Sequence, residues 1–92
     1  MDILKELYRV VEDRKEHPVE GSYTNYLFDK GTDKISKKLG EEAVEVVIAA
    51  SQRDKKEIIG DIADLEYHLL VLMVDQGITL DDVEAELRSR RN

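Results

Sequence analysis

The chain has 92 residues, with 21 acidic against 14 basic side chains, a formal net charge of −7 and no cysteine. So short a chain makes one small domain over residues 1–92 with room for one modest core; disulfides and thiolate metal sites are excluded, and an acidic surface with four tyrosines and one phenylalanine suits neither nucleic acid nor base-stacking platforms. The longest apolar run, Leu69 to Val74, falls far short of the ~20 residues of a membrane span, and Met1-Asp2 opens no signal-peptide pattern, so a cytoplasmic location is expected.

Ile3, Leu4, Leu7, Tyr8 and Val11 recur at helical spacing, Asp2 can cap the start and Pro18 stops the pattern, which predicts a helix over about 2–16. From Val19 to Gly31 the period is lost; an ordered loop is expected there, with Thr24 capping a single turn near 25–29. Thr32 or Asp33 then caps a helix over 33–51 whose apolar stripe is Ile35, Leu39, Ala43, Val46, Val47 and Ala50. Gly40 lies inside it, at a cost of ~1 kcal/mol relative to alanine, and marks close approach of another backbone or of a ligand. Asp54 with Glu57 reads as a capping box opening a helix over 55–76 that Gly77 closes. Thr79 with Asp82 repeats the device for a last helix over 80–90, rich in arginine at its end. No alternating strand pattern, repeat or low-complexity tract intervenes, so the expected fold is an all-α helical bundle. Two long amphipathic helices in so short a chain can hardly cover one another, so homodimerisation is expected to complete the bundle.

From Ile58 to Val74 the side chains are apolar almost all the way round the helix, which predicts burial on most sides. Against that background Glu57, Asp61, Asp64, His68 and Asp75 share one stripe within about 60° of arc, with Glu66 opposite. The same wheel on the preceding helix gathers Lys34, Lys38, Glu41, Glu42 and Glu45 beside its apolar stripe. The short connection around Arg53-Asp54 favours antiparallel packing, which lets the two acidic faces meet.

A lone Glu-x-x-Glu is ordinarily a solvated face. Asp61 and Asp64 are harder to read so, because two poor helix formers on an otherwise apolar helix are not solvated decoration. Carboxylates gathered this closely resist desolvation and call for a cation. Oxygen ligands without cysteine suit Mg²⁺ or Mn²⁺ better than zinc, and magnesium commonly keeps waters and substrate phosphates as its other ligands. His68, a lone histidine between Tyr67 and Leu69, is more often a packed, hydrogen-bonded residue than a catalyst.

The segments Gly21-Ser22-Tyr23-Thr24, Leu27-Phe28, Gly31, Lys37-Lys38-Leu39-Gly40-Glu41-Glu42-Ala43-Val44-Glu45 and Asp61-Ile62-Ala63-Asp64-Leu65-Glu66-Tyr67-His68 resemble the phosphoribosyl-ATP pyrophosphatases of histidine biosynthesis. These belong to the all-α, MazG-like nucleotide pyrophosphatase superfamily. The resemblance runs from about Leu4 to Leu87. It implies Mg²⁺-dependent hydrolysis of phosphoribosyl-ATP to phosphoribosyl-AMP and pyrophosphate by a homodimer. Glu42, Glu45, Asp61 and Asp64 are then the metal-binding residues, and Glu41, Glu42, Glu45 and Asp64 the catalytic set, with Glu41 either an outer ligand or the base that orients water. Where the family has Glu-x-x-Asp this chain has Asp61-x-x-Asp64; the shorter first side chain leaves contact through water as open as direct contact.

Lys34, Lys37 and Lys38 lie one turn before the acids. Lys34 and Lys38 are the expected substrate-binding lysines, Lys38 sharing the acids' face and Lys37 pointing away toward a neighbouring subunit; an ordinary helix-surface ion pair is the competing reading. Ser22, Tyr23 and Thr24 offer hydroxyls and a ring to a base or ribose, although a capped turn explains part of that pattern equally well. Two other functions share these residues: a housekeeping nucleoside triphosphate pyrophosphatase, and a non-catalytic helical interaction module whose acids hold a structural cation.

Overall fold

The structure, a computed structural model, describes residues 2–91, and its elements there are all helices: α1 (Ile3–Glu16), α2 (Tyr23–Lys30), α3 (Thr32–Gln52), α4 (Lys55–Gln76) and α5 (Leu80–Arg90). The all-α expectation holds, and most ends form where the sequence signals them. Asp2 accepts from the Lys5 N–H and starts α1. The Thr79 hydroxyl and the Asp82 carboxylate satisfy one another's backbone N–H groups in a complete capping box. Asp54 takes the Glu57 N–H and caps α4, while Gly77, in the left-handed region at φ 68°, closes it.

Two starts differ from expectation. The stretch read as a loop with one turn contains the eight-residue α2, capped by Ser22, whose hydroxyl accepts from the Asn25 N–H; Thr24 lies inside the first turn and is buried. Tertiary use of Asn25 outweighs its poor helix propensity. Its side-chain oxygen accepts from Val19 N–H at 2.9 Å and its amide donates to the Arg14 carbonyl at 2.6 Å, which folds the α1–α2 connection back on itself. Likewise neither Thr32 nor Asp33 caps α3. Gly31 alone joins α2 to α3, at φ 92° and ψ −178°, a conformation open essentially to glycine. The Thr32 hydroxyl instead donates to Asp75 at 2.7 Å, tying the start of α3 to the end of α4.

Asn25→Ala is expected to cost about 1–3 kcal/mol, because it leaves one backbone donor and one acceptor unpaired in a part-buried site. Urea denaturation followed by circular dichroism measures it.

The buried core consists of Val11, Leu27, Ile35, Val71 and Val74, with Tyr8, Phe28, Tyr67 and Leu72 packed around it. These residues come from α1, α2, the start of α3 and the end of α4, so four helices meet at one end of the molecule. Beyond that end α3 and α4 run on as an antiparallel pair, reversed in two residues by Arg53, at φ 57°, and Asp54. There Val44, Val47 and Ile48 on α3 and Ile59 and Ile62 on α4 are exposed. The expectation that α4 is buried on most sides therefore fails within one chain, where Ile59 is 61% exposed.

The expected stripe of α3 is also corrected. Val47 is 68% exposed and Ala50 exposed as well, whereas Ala49 is buried. At ~100° per residue, seven steps return to within about 20° of the starting direction, and the buried line of α3 is Ile35, Glu42, Ala49. Gly40 faces away from that line; a Cβ there would meet nothing within 4 Å, so no part of this chain makes the close approach expected at Gly40. α5 buries none of its own side chains among the described residues, and the turn before it is held by the Tyr8 hydroxyl donating to the Ile78 carbonyl at 2.8 Å.

Candidate functional site

The seven-residue repeat that sends Ile35 and Ala49 into the interior sends Glu42 there too, leaving it 9% exposed. Burial above all, then a hydrogen bond to Glu45 that only a protonated carboxyl can supply, hold the Glu42 carboxyl above its ordinary value. The charges of Glu45 and Asp64 push the same way, and His68 opposes them. Glu42, Glu45, Asp64 and His68 thus form one electrostatic neighbourhood across the α3–α4 seam. Toward the reversal, Glu45 and Asp61 border one hollow with Ile48, Ala49, Gln52 and Glu57. The two acidic rows meet as the antiparallel register requires. Asp75, on the same sequence stripe, is instead engaged with Thr32 and Gln76 at the other end of α4.

Lys38 pairs with Glu41 at 3.3 Å. That bond and the neighbouring Tyr23 phenol raise its affinity for a proton. The ordinary i,i+3 ion pair is therefore formed, and Lys38, Glu41 and Glu45 also border an outer hollow with Lys37, Gly40 and Val44. Lys37, expected to point away, lines the same hollow as Lys38. Lys34 makes no ion pair among the described residues and is partly exposed, one turn before Lys38.

The Ser22, Tyr23 and Thr24 side chains all have partners within the chain. Ser22 caps α2, Thr24 hydrogen-bonds the Tyr67 hydroxyl, and the Tyr23 hydroxyl lies 3.0 Å from Nε2 of His68. Nδ1 of His68 lies 2.7 Å from the Asp64 carbonyl. His68 is thus the packed, hydrogen-bonded histidine that its lone position suggested, 5% exposed. Tyr23 stacks on Tyr26 and Tyr67 and meets His68 edge-on. This aromatic latch, which carries the start of α2 to the acids of α4, is the part sequence reasoning missed; the adjacency of Tyr67 and His68 to Asp64 is its only sequence signal.

The donor set is made of oxygens, is short of positive charge and holds one carboxyl buried, which fits a hard cation. Among the described residues no three acid or imidazole groups converge on one point as they stand. A cation there would need the long glutamate side chains to adjust.

Fold and acidic seam define an all-helical protein with carboxylates set along two facing antiparallel helices. The sequence profile described as phosphoribosyl-ATP pyrophosphohydrolase matches residues 4–91. A Clostridium botulinum (strain Hall) protein named phosphoribosyl-ATP pyrophosphatase is 56% identical over 90 residues, covering 98% of this chain and 82% of that protein. A Streptococcus thermophilus protein of the same name is 58% identical over 89 residues, 97% of this chain and 86% of that one. Similarity extends to the histidine biosynthesis bifunctional protein HisIE of Thermoanaerobacter pseudethanolicus, 64% identical over 84 residues, which are 91% of this chain and 39% of that longer protein. The chain belongs to the phosphoribosyl-ATP pyrophosphohydrolase family.

Proposed function

We propose that this chain hydrolyses phosphoribosyl-ATP to phosphoribosyl-AMP and pyrophosphate with Mg²⁺ as cofactor, in the cytoplasm and as a homodimer. The observation that carries the reading is the uncompensated carboxyl cluster around buried Glu42, found in a chain that matches its family over residues 4–91. A bound divalent ion supplies charge neutralisation of the phosphate oxygens and a lowered pKa for the attacking water. Glu42, Glu45, Asp61 and Asp64 are the residues that would hold it.

The remaining work belongs to the chain's own groups, and in phosphoryl transfer it is chiefly positioning. Glu41, exposed and next to the cluster, is placed to orient a water by accepting its proton. Lys38, with Lys34 one turn earlier, offers ammonium groups to phosphate oxygens, for which Lys38 exchanges its pair with Glu41. Ser22, Tyr23 and Thr24 bring the start of α2 to the same region, where Tyr23 presents its ring to the nucleoside part. The outward apolar rows of α3 and α4 support the dimer, since a hydrolytic hairpin with Val47 and Ile59 in water lacks half its cover.

Incubation with Mg²⁺ and either phosphoribosyl-ATP or a panel of ordinary triphosphates, followed by pyrophosphate release, tests the reading. Preferential turnover of phosphoribosyl-ATP is expected; preference for an ordinary triphosphate would point to the housekeeping reaction. Chelation is expected to abolish turnover while leaving the circular dichroism of the helices intact. Restoring Mg²⁺ to 100 times its dissociation constant is expected to stabilise the fold by about 2.7 kcal/mol, seen as a higher Tm.

A further inference from the structure

Tyr23 and His68 make a short chain of hydrogen bonds whose direction is set by chemistry. The Asp64 carbonyl can only accept, so Nδ1 of His68, 2.7 Å away, carries a hydrogen. In a neutral ring Nε2 is then the acceptor, and the Tyr23 hydroxyl, 3.0 Å from it, donates. A phenol has one proton to give. Once it is committed to His68, the Tyr23 oxygen can only accept further bonds.

We propose that His68 is a positioning residue that fixes Tyr23 as an obligate hydrogen-bond acceptor at the edge of the acidic site, so that Tyr23 reads a donor group on the nucleotide, a sugar hydroxyl or purine amine, and turns away phosphate oxygens. The proposal rests on the nucleotide-hydrolysing reading above. Several features support the geometry. His68 is packed edge-on between Tyr23 and Tyr67, with ring centroids at 5.8 and 5.2 Å, and is held by a hydrogen bond at each nitrogen. The second bond of the latch, Thr24 to Tyr67, holds the following residue of α2 against the preceding residue of α4. Tyr23 as a residue remains 45% exposed, which leaves its side chain open to a ligand. Burial, eased in part by Lys38, keeps its phenol above the ordinary value, with Tyr67 and Glu42 adding to the effect, and it remains a neutral hydroxyl.

Two measurements on the full chain test this. At pH 8, long-range ¹⁵N correlations of the two imidazoles, assigned with His17→Gln, are expected to show the His68 hydrogen on Nδ1 and none on Nε2. A hydrogen on Nε2, or on both nitrogens, would overturn the proposal. Binding of ATP, 2′-deoxy-ATP, 3′-deoxy-ATP and purine-riboside triphosphate, with Mg²⁺, is then followed by chemical-shift titration for the wild type and Tyr23→Phe. One analogue, lacking the hydroxyl or amine that is read, is expected to bind the wild type about fivefold more weakly than ATP, the worth of one hydrogen bond. In Tyr23→Phe that analogue and ATP are expected to bind alike, and which analogue it is separates sugar from purine. Equal binding of all four by the wild type, or discrimination that survives Tyr23→Phe, refutes the assignment. Neither readout needs turnover, so failure to hydrolyse phosphoribosyl-ATP counts against the proposed reaction alone.

Discussion

Glu42→Gln is expected to lower kcat for phosphoribosyl-ATP by about 10²–10³-fold, the usual cost of removing one preorganised charge-stabilising group, and to make the metal-free protein more stable. The two effects have one cause. Glu42 sits in the buried line of α3 with Glu45 and Asp64 beside it, and its carboxyl takes up a proton more readily than in the unfolded chain. An acid whose folded pKa is raised destabilises the fold progressively as pH climbs from the unfolded value of about 4.3 to the folded one, because in that window the native state binds the extra proton. Stability falls as pH rises through this window, and the deficit persists at neutral pH. Glutamine keeps the shape and removes the charge. In chelator at pH 7 the variant's Tm should therefore exceed that of the wild type, and the gap should close as pH falls through the window to about 4. Asp64→Asn is expected to act in the same direction on turnover, with its backbone carbonyl still serving His68. Wild-type turnover in either variant would remove the acidic seam from the reaction.

The second large effect concerns the outer face of the hairpin. For a monomer, Val47→Asp on a position 68% exposed should be nearly silent, within about 0.5 kcal/mol. In the proposed homodimer the same carboxylate is buried without a partner, which costs several kcal/mol. The expected result is a shift from dimer to monomer in light scattering at micromolar concentration, with at least a tenfold loss of specific activity that higher protein concentration partly restores. Ile59→Asp should behave alike. A variant that keeps both its mass and its activity would sink the assignment of this face.

Most of the fold is legible along the chain because helix ends are written in local chemistry. Asp2, Asp54, Thr79 and Gly77 each act within a few residues of themselves, and each does what its type predicts. The errors arise where a residue works across the fold. The stretch from Val19 to Gly31 reads as a loop with Thr24 capping one turn, yet Asn25 serves the Arg14 carbonyl and the Val19 N–H, and α2 forms around it. Thr32 reads as a cap, but its hydroxyl goes to Asp75, far along the chain. On the helical wheel Glu42 reads as flanking the apolar stripe of α3. The seven-residue step from Ile35 through Glu42 to Ala49 was available and locates it in the interior. Of the site, the acids and their facing arrangement were legible from helical spacing. The Tyr23–His68 and Thr24–Tyr67 bonds were not, since each joins residues more than forty positions apart.

The two-residue reversal at Arg53 and Asp54 also sets an order of events. Closing so short a loop costs little chain entropy, and contacts this local form early in folding. The carboxylates of α3 and α4 are thus brought face to face by the hairpin while the chain is still assembling. On the proposed function, the cation would enter a scaffold whose facing carboxylates the hairpin has already set, so its arrival would bear on activity more than on assembly.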